Sequence, residues 1–390
     1  MIDNNNVVIL GSGISGMITA LSLAKNKIKS TIIERKSAKD IDFFNDVRTT
    51  AINLSSRKIF EDIGIWQELS NLCGPINDIY IVDNKAPEIL HFTKNTISEN
   101  KTMGYLIENT EFKKCLYTLI QGNEFITILD NVNYQQIING LDYCHLTLSN
   151  KTTILCNLLI VCDSKNSKAK NLFFSNKIVK DYKQEAITFI VKHDKDHEGT
   201  AVEHFLPTGP FAILPLKDHN RSSIVWTVPR EHALALLNLP EEEFIYLVQK
   251  NFGMFLGKIQ INTKAKSFPL QAYTVHTYYN KNIVLVADTA HIIHPLAGQG
   301  LNQGIKDIDC LSKIIITEGI GTKALEIYQN RRKQDNENML LITDAINSIF
   351  LSNSRIFHKA RQGAFKIIEN FSFLKRILIK YAIGERSIQK

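Results

Sequence analysis

Apolar residues collect into three short unbroken runs, each ending at a turn residue: Val7–Leu10 before Gly11, Leu158–Cys162 before Asp163, and Ile283–Ala287 before Asp288. Runs of this length, rich in Val and Ile, predict buried parallel strands. After the first run, apolar positions recur at helical period to Ala24, and Ser30–Ile33 then returns to strand. Arg57–Leu69 reads as a helix broken at Gly64, and Pro75–Asp83 alternates with period two into a strand. A helix through Ile120 and short strands near Phe125–Leu129, His145–Leu148 and Thr153–Leu155 follow. From Asp181 to Leu270 the pattern is β-rich, with strands at Ala186–Lys192, Thr200–Leu206 and Ser222–Val228 and one helix at Glu241–Phe252. A last clear helix starts at about Gln299 and runs through Thr317.

The segment Gly11-Ser12-Gly13-Ile14-Ser15-Gly16 sits between predicted strand and predicted helix. Gly11 suits a tight turn, Gly13 admits a pyrophosphate close to backbone, and Gly16 lets helix and sheet pack tightly. A helix N-terminus offers free N–H groups to phosphate. Glu34 follows at about 20 residues, the spacing of a ribose-binding acid. The alternative is a glycine-rich turn in an unrelated α/β domain. Taken alone, the stretch does not separate NAD from FAD.

The fold class expected is α/β: a Rossmann-like FAD-binding domain, an inserted antiparallel β-sheet substrate domain and a C-terminal helical segment. Residues 1–180 form the first part of the cofactor domain, with a small substrate-domain excursion near 76–100. Residues 181–272 form the β-sheet domain, 273–345 the second cofactor part, and 346–390 an amphipathic helical segment. FAD enters this expectation because Asp288 and the glycine-rich helix start at Gly298–Asn302 lie far downstream of the first loop. A ligand gripped at both places is long. Asp288 suits the hydroxyls of a ribityl chain, and the second helix start suits the negative charge of a reduced flavin ring.

Composition narrows the class without deciding it. The chain has 390 residues, 44% hydrophobic and 22% charged, with a formal charge of +7 spread along its length. No basic block marks a nucleic-acid partner. Six cysteines lack CxxC or metal-ligand spacing, which suits a reducing compartment and no metal. The first residues carry no basic leader, and no apolar run reaches the roughly 18 residues that span a bilayer. A cytoplasmic protein, in part peripheral on the inner face of the membrane, is the expectation.

These residues together resemble the FAD-dependent aromatic hydroxylases of the para-hydroxybenzoate hydroxylase type, most closely the branch that hydroxylates polyprenylated phenols in ubiquinone biosynthesis. The resemblance rests on Gly11–Gly16 with Glu34 and on Arg48 in a DxRxxAIxxS setting. It rests also on Gly104-Tyr105 with Glu108-Asn109, Gly209–Leu216, and above all on Asp288 to Asp307 with its HPxAGQGLNxG core. It covers nearly the whole chain. It implies FAD as cofactor, O2 as co-substrate and NAD(P)H or another reductant as electron donor. The cofactor-binding set it implies is Gly11, Gly13, Gly16, Glu34, Arg35, Arg48, Asp163, Asp288, Pro295, Gly298, Gln299, Gly300, Leu301 and Asn302. The flavin delivers an oxygen atom to an electron-rich ring carbon, so no acid or base is assigned. His291, His294 and Pro295 are weak catalytic candidates, and the preferred reading of both histidines is structural, as groups bonding backbone in the loop.

Two departures from the family pattern stand out. The middle motif DGxxSxxR reads Asp163-Ser164-Lys165-Asn166-Ser167-Lys168-Ala169-Lys170, with serine for glycine and lysine for arginine. Ala287 stands where glycine usually precedes the aspartate. Lysine lacks the bidentate fork of arginine, which leaves the electron donor open. In the tail, Phe350, Phe357, Ala360, Ala364, Ile367, Phe371, Leu374 and Leu378 fall near helical spacing beside many basic residues. That face either packs on the body or contacts a membrane surface or a quinone-biosynthesis protein complex. Competing functions are hydroxylation of another aromatic substrate and a flavin-binding, non-catalytic component of such a complex.

Overall fold

A computed structural model describes residues 7–40, 43–83, 89–94, 102–174, 177–294 and 298–351, together with Gly363 and Ile368. The three apolar runs become neighbours in one sheet. Its order is Tyr279–Asn280, Ile283–Leu285, Leu158–Val161, Val7–Leu10, Ser30–Ile33 and Ile126–Leu129. All pairs are parallel except the edge strand Tyr279–Asn280. Every residue of Val7–Leu10 and Leu158–Val161 is buried, because the sheet is covered on both sides. The helices Ile14–Lys25, Asn109–Gln121 and Gln299–Glu318 join that core, as does a small antiparallel sheet of Tyr134–Asn139, Cys144–Leu148 and Thr153–Cys156.

A second, wider sheet runs in the order His291–Ile292, Lys266–Val275, Lys177–His193, Arg221–Pro229, Gly209–Pro215, Thr200–Leu206, Asp78–Asp83 and Ile89–Thr93. Its pairs are antiparallel except Asp78–Asp83 with Thr200–Leu206. Alternate residues, among them Phe189, Phe211, Ile224 and Trp226, pack under the helices Arg230–Leu237 and Glu241–Phe252. A three-stranded sheet of Thr49–Ile52, Gly104–Glu108 and Gly74–Ile76 lies between the two.

Local chemistry explains where the elements stop. The helix expected over Arg57–Leu69 is two helices, Leu54–Ile63 and Trp66–Ser70. Asn53 caps the first through its side chain, accepting from Ser56 N at 2.9 Å, and Gly64 ends it at φ +83°. The strand expected at Ala186–Lys192 is much longer, Lys177–His193, and bends where Lys183 takes φ +57° between Asp181 and Glu185. A helix over Thr322–Leu351 closes the described chain. Beyond Leu351, the C-terminal segment lies outside the described residues except for Gly363 and Ile368.

Candidate functional site

Three adjacent parallel strands each end in a residue singled out by sequence: Val7–Leu10 at Gly11, Leu158–Val161 just before Asp163, and Ile283–Leu285 just before Asp288. The next strand over, Ser30–Ile33, ends at Glu34. Carboxyl ends of parallel strands are where such sheets receive ligands. At about 4.8 Å per strand, the four ends span about 14 Å.

The glycine loop is built from close approaches. Gly11 takes φ +95°, and a Cβ there would lie 3.0 Å from Asp163 Cα and 3.1 Å from the Cys162 carbonyl oxygen. A Cβ on Gly16 would lie 1.9 Å from the Gly11 carbonyl oxygen, so only glycine permits this turn. At Gly13 the corresponding space is open, and this residue caps the helix Ile14–Lys25 with no side-chain bond to its N–H groups. Those donors remain for a ligand. Ser12 donates from both backbone N (2.8 Å) and Oγ (2.9 Å) to Glu34 Oε2, holding the acid against the loop. Arg35 is exposed beside it and close enough to Asp163 to favour its ionised form.

At the second strand end, Asp163 Oδ1 is buried and has no hydrogen-bond partner among the described residues. Burial raises this carboxyl, against the pull of Ser167, Lys170 and Arg35. Ser167 caps the short helix Lys168–Phe173, accepting from Lys170 N at 3.0 Å. Lys170 points inward: its ammonium donates to the Lys165 carbonyl and lies 4.5 Å from the Tyr273 ring centre. Burial pushes this lysine down to about 8. Tyr273 in turn donates its hydroxyl to the Asp288 carbonyl, so the middle motif and the downstream motif are tied through one tyrosine.

Asp288 follows in a 3-10 turn, Ala287–Thr289. Its side chain is open to solvent, yet protein surrounds it closely enough to raise its carboxyl, as on the floor of a concave site. His291, Arg48 and Lys165 pull the other way. Arg48 is held by Asp46 through Nε (2.8 Å) and a terminal nitrogen (2.7 Å), and its guanidinium lies 5.1 Å from the Phe268 ring centre. Although burial opposes it, Arg48 and Lys113 keep the Asp46 carboxyl well below the usual range.

The helix Gln299–Glu318 starts at Gly298, at φ +63°, where a Cβ would lie 2.8 Å from Ala51 Cβ. Among the described residues no side chain caps it, and the space at Gly300 is open. Gln299 is buried and Leu301 half-buried. Asn302 is committed to protein: Oδ1 accepts from Asn53 N (3.1 Å) and Ser56 Oγ (2.7 Å), and Nδ2 donates to the carbonyls of Ala51 (2.8 Å) and Gly298 (2.9 Å). Pro295 lies outside the described residues.

The two histidines occupy different surroundings. His291 Nε2 is 2.5 Å from Asp307 Oδ2, and Asp307 Oδ1 accepts from Arg332 Nε (2.7 Å) and Asn336 Nδ2 (3.1 Å). Burial opposes ionisation there, but His291 and Arg332 bring Asp307 down to about 2. Arg332 and Asn336 were beyond sequence reasoning, since nothing local marks a helix residue as the partner of an aspartate one helix earlier. His294 is buried, lies edge-on to Tyr182 at 4.7 Å, and neither ring nitrogen has a partner among the described residues. Burial pushes it down to about 4.

The orphaned Asp163 oxygen, the open spaces at Gly13 and Gly300, and two uncapped helix starts along one sheet end fit a long, anionic dinucleotide. Among the described residues no cluster of His, Cys, Asp or Glu could hold a metal, and no helix is long and apolar enough to cross a membrane.

Comparison with known proteins places this geometry. The profile of the FAD binding domain family matches residues 4–341. Ubiquinone hydroxylase UbiL of Rhodospirillum rubrum is 32% identical over 386 residues, covering 97% of this chain and 89% of that protein. The 3-demethoxyubiquinol 3-hydroxylase of Escherichia coli is 27% identical, covering 97% of this chain and 98% of its own. Among solved structures, p-nitrophenol 4-monooxygenase PnpA from Pseudomonas putida DLL-E4 superposes with a TM-score of 0.82 at 15% identity, over 100% of both chains.

Proposed function

The chain belongs to the FAD binding domain family and is an FAD-dependent monooxygenase of ubiquinone biosynthesis, and we propose that its substrate is a polyprenylated phenol. The supporting observation is the row of strand ends Glu34, Gly11, Asp163 and Asp288, which suits a cofactor longer than a single nucleotide. Gly11, Gly13 and Gly16, with the helix they open, would hold the pyrophosphate, and Glu34 with Arg35 the adenosine side. Asp163 and Asp288 would accept from hydroxyls of the ribityl chain. Arg48, Gly298, Gln299, Gly300, Leu301 and Asn302 would surround the ring end, with Asn302 acting through the fold of the loop, and Pro295 joins this set by resemblance.

Bound FAD, reduced by NAD(P)H or another reductant, would activate O2, which is the source of the oxygen atom. The chain's own residues place the ring, keep water away and hold charge. The uncapped helix start at Gly298 favours negative charge at the ring end. The Asp46–Arg48 pair fixes a cation beside Asp288. We assign residues 1–180, apart from an excursion near 76–100, and 273–345 to the cofactor domain, and the excursion with 181–272 to the substrate domain. Membrane-surface or protein-complex contact is assigned to 346–390.

Cells lacking this protein should accumulate a polyprenylated phenol one hydroxylation short of the next quinone precursor. Quinone-intermediate profiling by mass spectrometry reads this directly and identifies the ring position. An unchanged profile, with a soluble aromatic accumulating instead, overturns the substrate assignment. Purified protein should absorb near about 450 nm, as bound flavin does.

A further inference from the structure

The wide sheet buries one face under its own helices, and its other face meets the strand Thr49–Ile52 of the three-stranded sheet. Thr49 Oγ1 lies 2.9 Å from Ser223 Oγ, Arg48 lies over Phe268, and Ala51 packs with Ile190 and Leu214. Strand register lays one row across this face: Thr188, Val225, Ala212, Glu203 and Ile81. The middle of the row is small and apolar, and its polar groups are unanswered. Thr188 Oγ1 is buried with no partner among the described residues. Glu203 is half-buried, and burial alone raises its carboxyl to about 7.

The neighbours of Glu203 on this face are Ile81 and Ala212 across the strands and Ala201 and Phe205 along its own. Asp83 follows on the adjacent strand, buried, and Lys266 stands at the far end of the row beyond Thr188. From the elements laid over the face, Arg48 is paired with Asp46 and Glu108 with Arg221. Ile79, Leu90, Phe92 and Ile368 pack with Ala201 in a largely buried apolar cluster beside this row. A carboxyl in such a place costs stability unless something answers it. No described side chain does.

We propose that Glu203 binds the hydroxyl of the phenolic substrate and takes its proton, with the ring lying on Val225 and Ala212. This rests on the polyprenylphenol reading above. The O–H bond of the phenol breaks and an O–H bond forms on the Glu203 carboxylate, leaving a phenolate richer in electrons at the ring carbon to be hydroxylated. That carbon forms its C–O bond with one oxygen atom of O2 as the O–O bond breaks, the other atom leaving as water with the two electrons of the reductant, and the carbon then releases its hydrogen to solvent as a proton. Glu203 returns its proton to the ring oxygen, so the carboxylate is restored. A base that titrates near the working pH suits this exchange.

The test uses the flavin-loaded enzyme and a short-chain 2-prenylphenol as probe, following hydroxylated product across pH. Product formation by the wild type should rise with pH through one ionisation near 7. Glu203→Gln should keep its flavin, lose about 100-fold in hydroxylation rate and lose that ionisation, and Glu203→Asp should restore both in part. A Glu203→Gln enzyme with the wild-type profile overturns the assignment. A wild-type profile flat through this range does so without any variant. Wild-type enzyme that holds flavin but leaves the probe unhydroxylated removes the polyprenylphenol reading and this inference together, a result distinct because no variant is involved.

Discussion

Single residues carry the departures from the family pattern, and backbone geometry says what they cost. Ser164 and Ala287 stand where the resemblance expects glycine, and both take positive φ, +82° and +56°. Left-handed backbone is free for glycine and strained for a residue with a Cβ. At Ala287 the neighbouring helix yields instead: Gly304 is the position where a second Cβ would lie 2.6 Å from that of Ala287. Ser164 has no such arrangement, and the space it needs is solvent. Ser164→Gly should therefore stabilise the protein by about 1 kcal/mol, raising the melting temperature by about 1 °C. A calorimetric scan showing an unchanged or lower melting temperature would remove strain at Ser164 as the explanation.

Elements are held to one another by buried polar groups that local pattern does not display. The helix Gln299–Glu318 meets Thr322–Leu351 through Asp307 and Arg332, both buried, with His291 and Asn336 completing the set. Removing one partner leaves a buried charge unanswered, so Arg332→Met should cost about 4 kcal/mol. Urea unfolding would show it as a lower midpoint, and a change below about 1 kcal/mol would mean the pair is no better than a surface one. The loop before that helix sets an acid limit. His294, at about 4, and His193 and His197, also lowered by burial, bind fewer protons folded than unfolded. Stability is then full above the ordinary histidine value of about 6.5 and falls as pH drops from there toward 4. His294→Gln should flatten that decline, measured as urea midpoint against pH, and an equal slope in both proteins would exclude His294 as a source.

At the scale of the whole molecule, deleting Ser354–Lys390 should weaken co-sedimentation with anionic liposomes while leaving flavin absorbance intact. Equal sedimentation would remove membrane contact through this segment. The parallel sheet, the glycine loop and the Asp288–Asp307 segment were legible in the chain, because each is written in neighbouring residues: an apolar run, a turn, a periodic helix. The strands Tyr134–Asn139 and Lys266–Val275 were not, since their residues are half exposed or belong to a sheet whose other strands lie elsewhere in sequence. The sequence by itself determined the α/β class, the family and the cofactor, because each of the two cofactor motifs is written in neighbouring residues even though they lie far apart in the chain. Only the tertiary structure decided that Lys170 turns inward to Tyr273, that Asn302 pins a strand, and that Glu203 shares one face with Thr188. Sheet register and burial are set by segments far apart in the chain, and they determine which polar groups are left for a ligand.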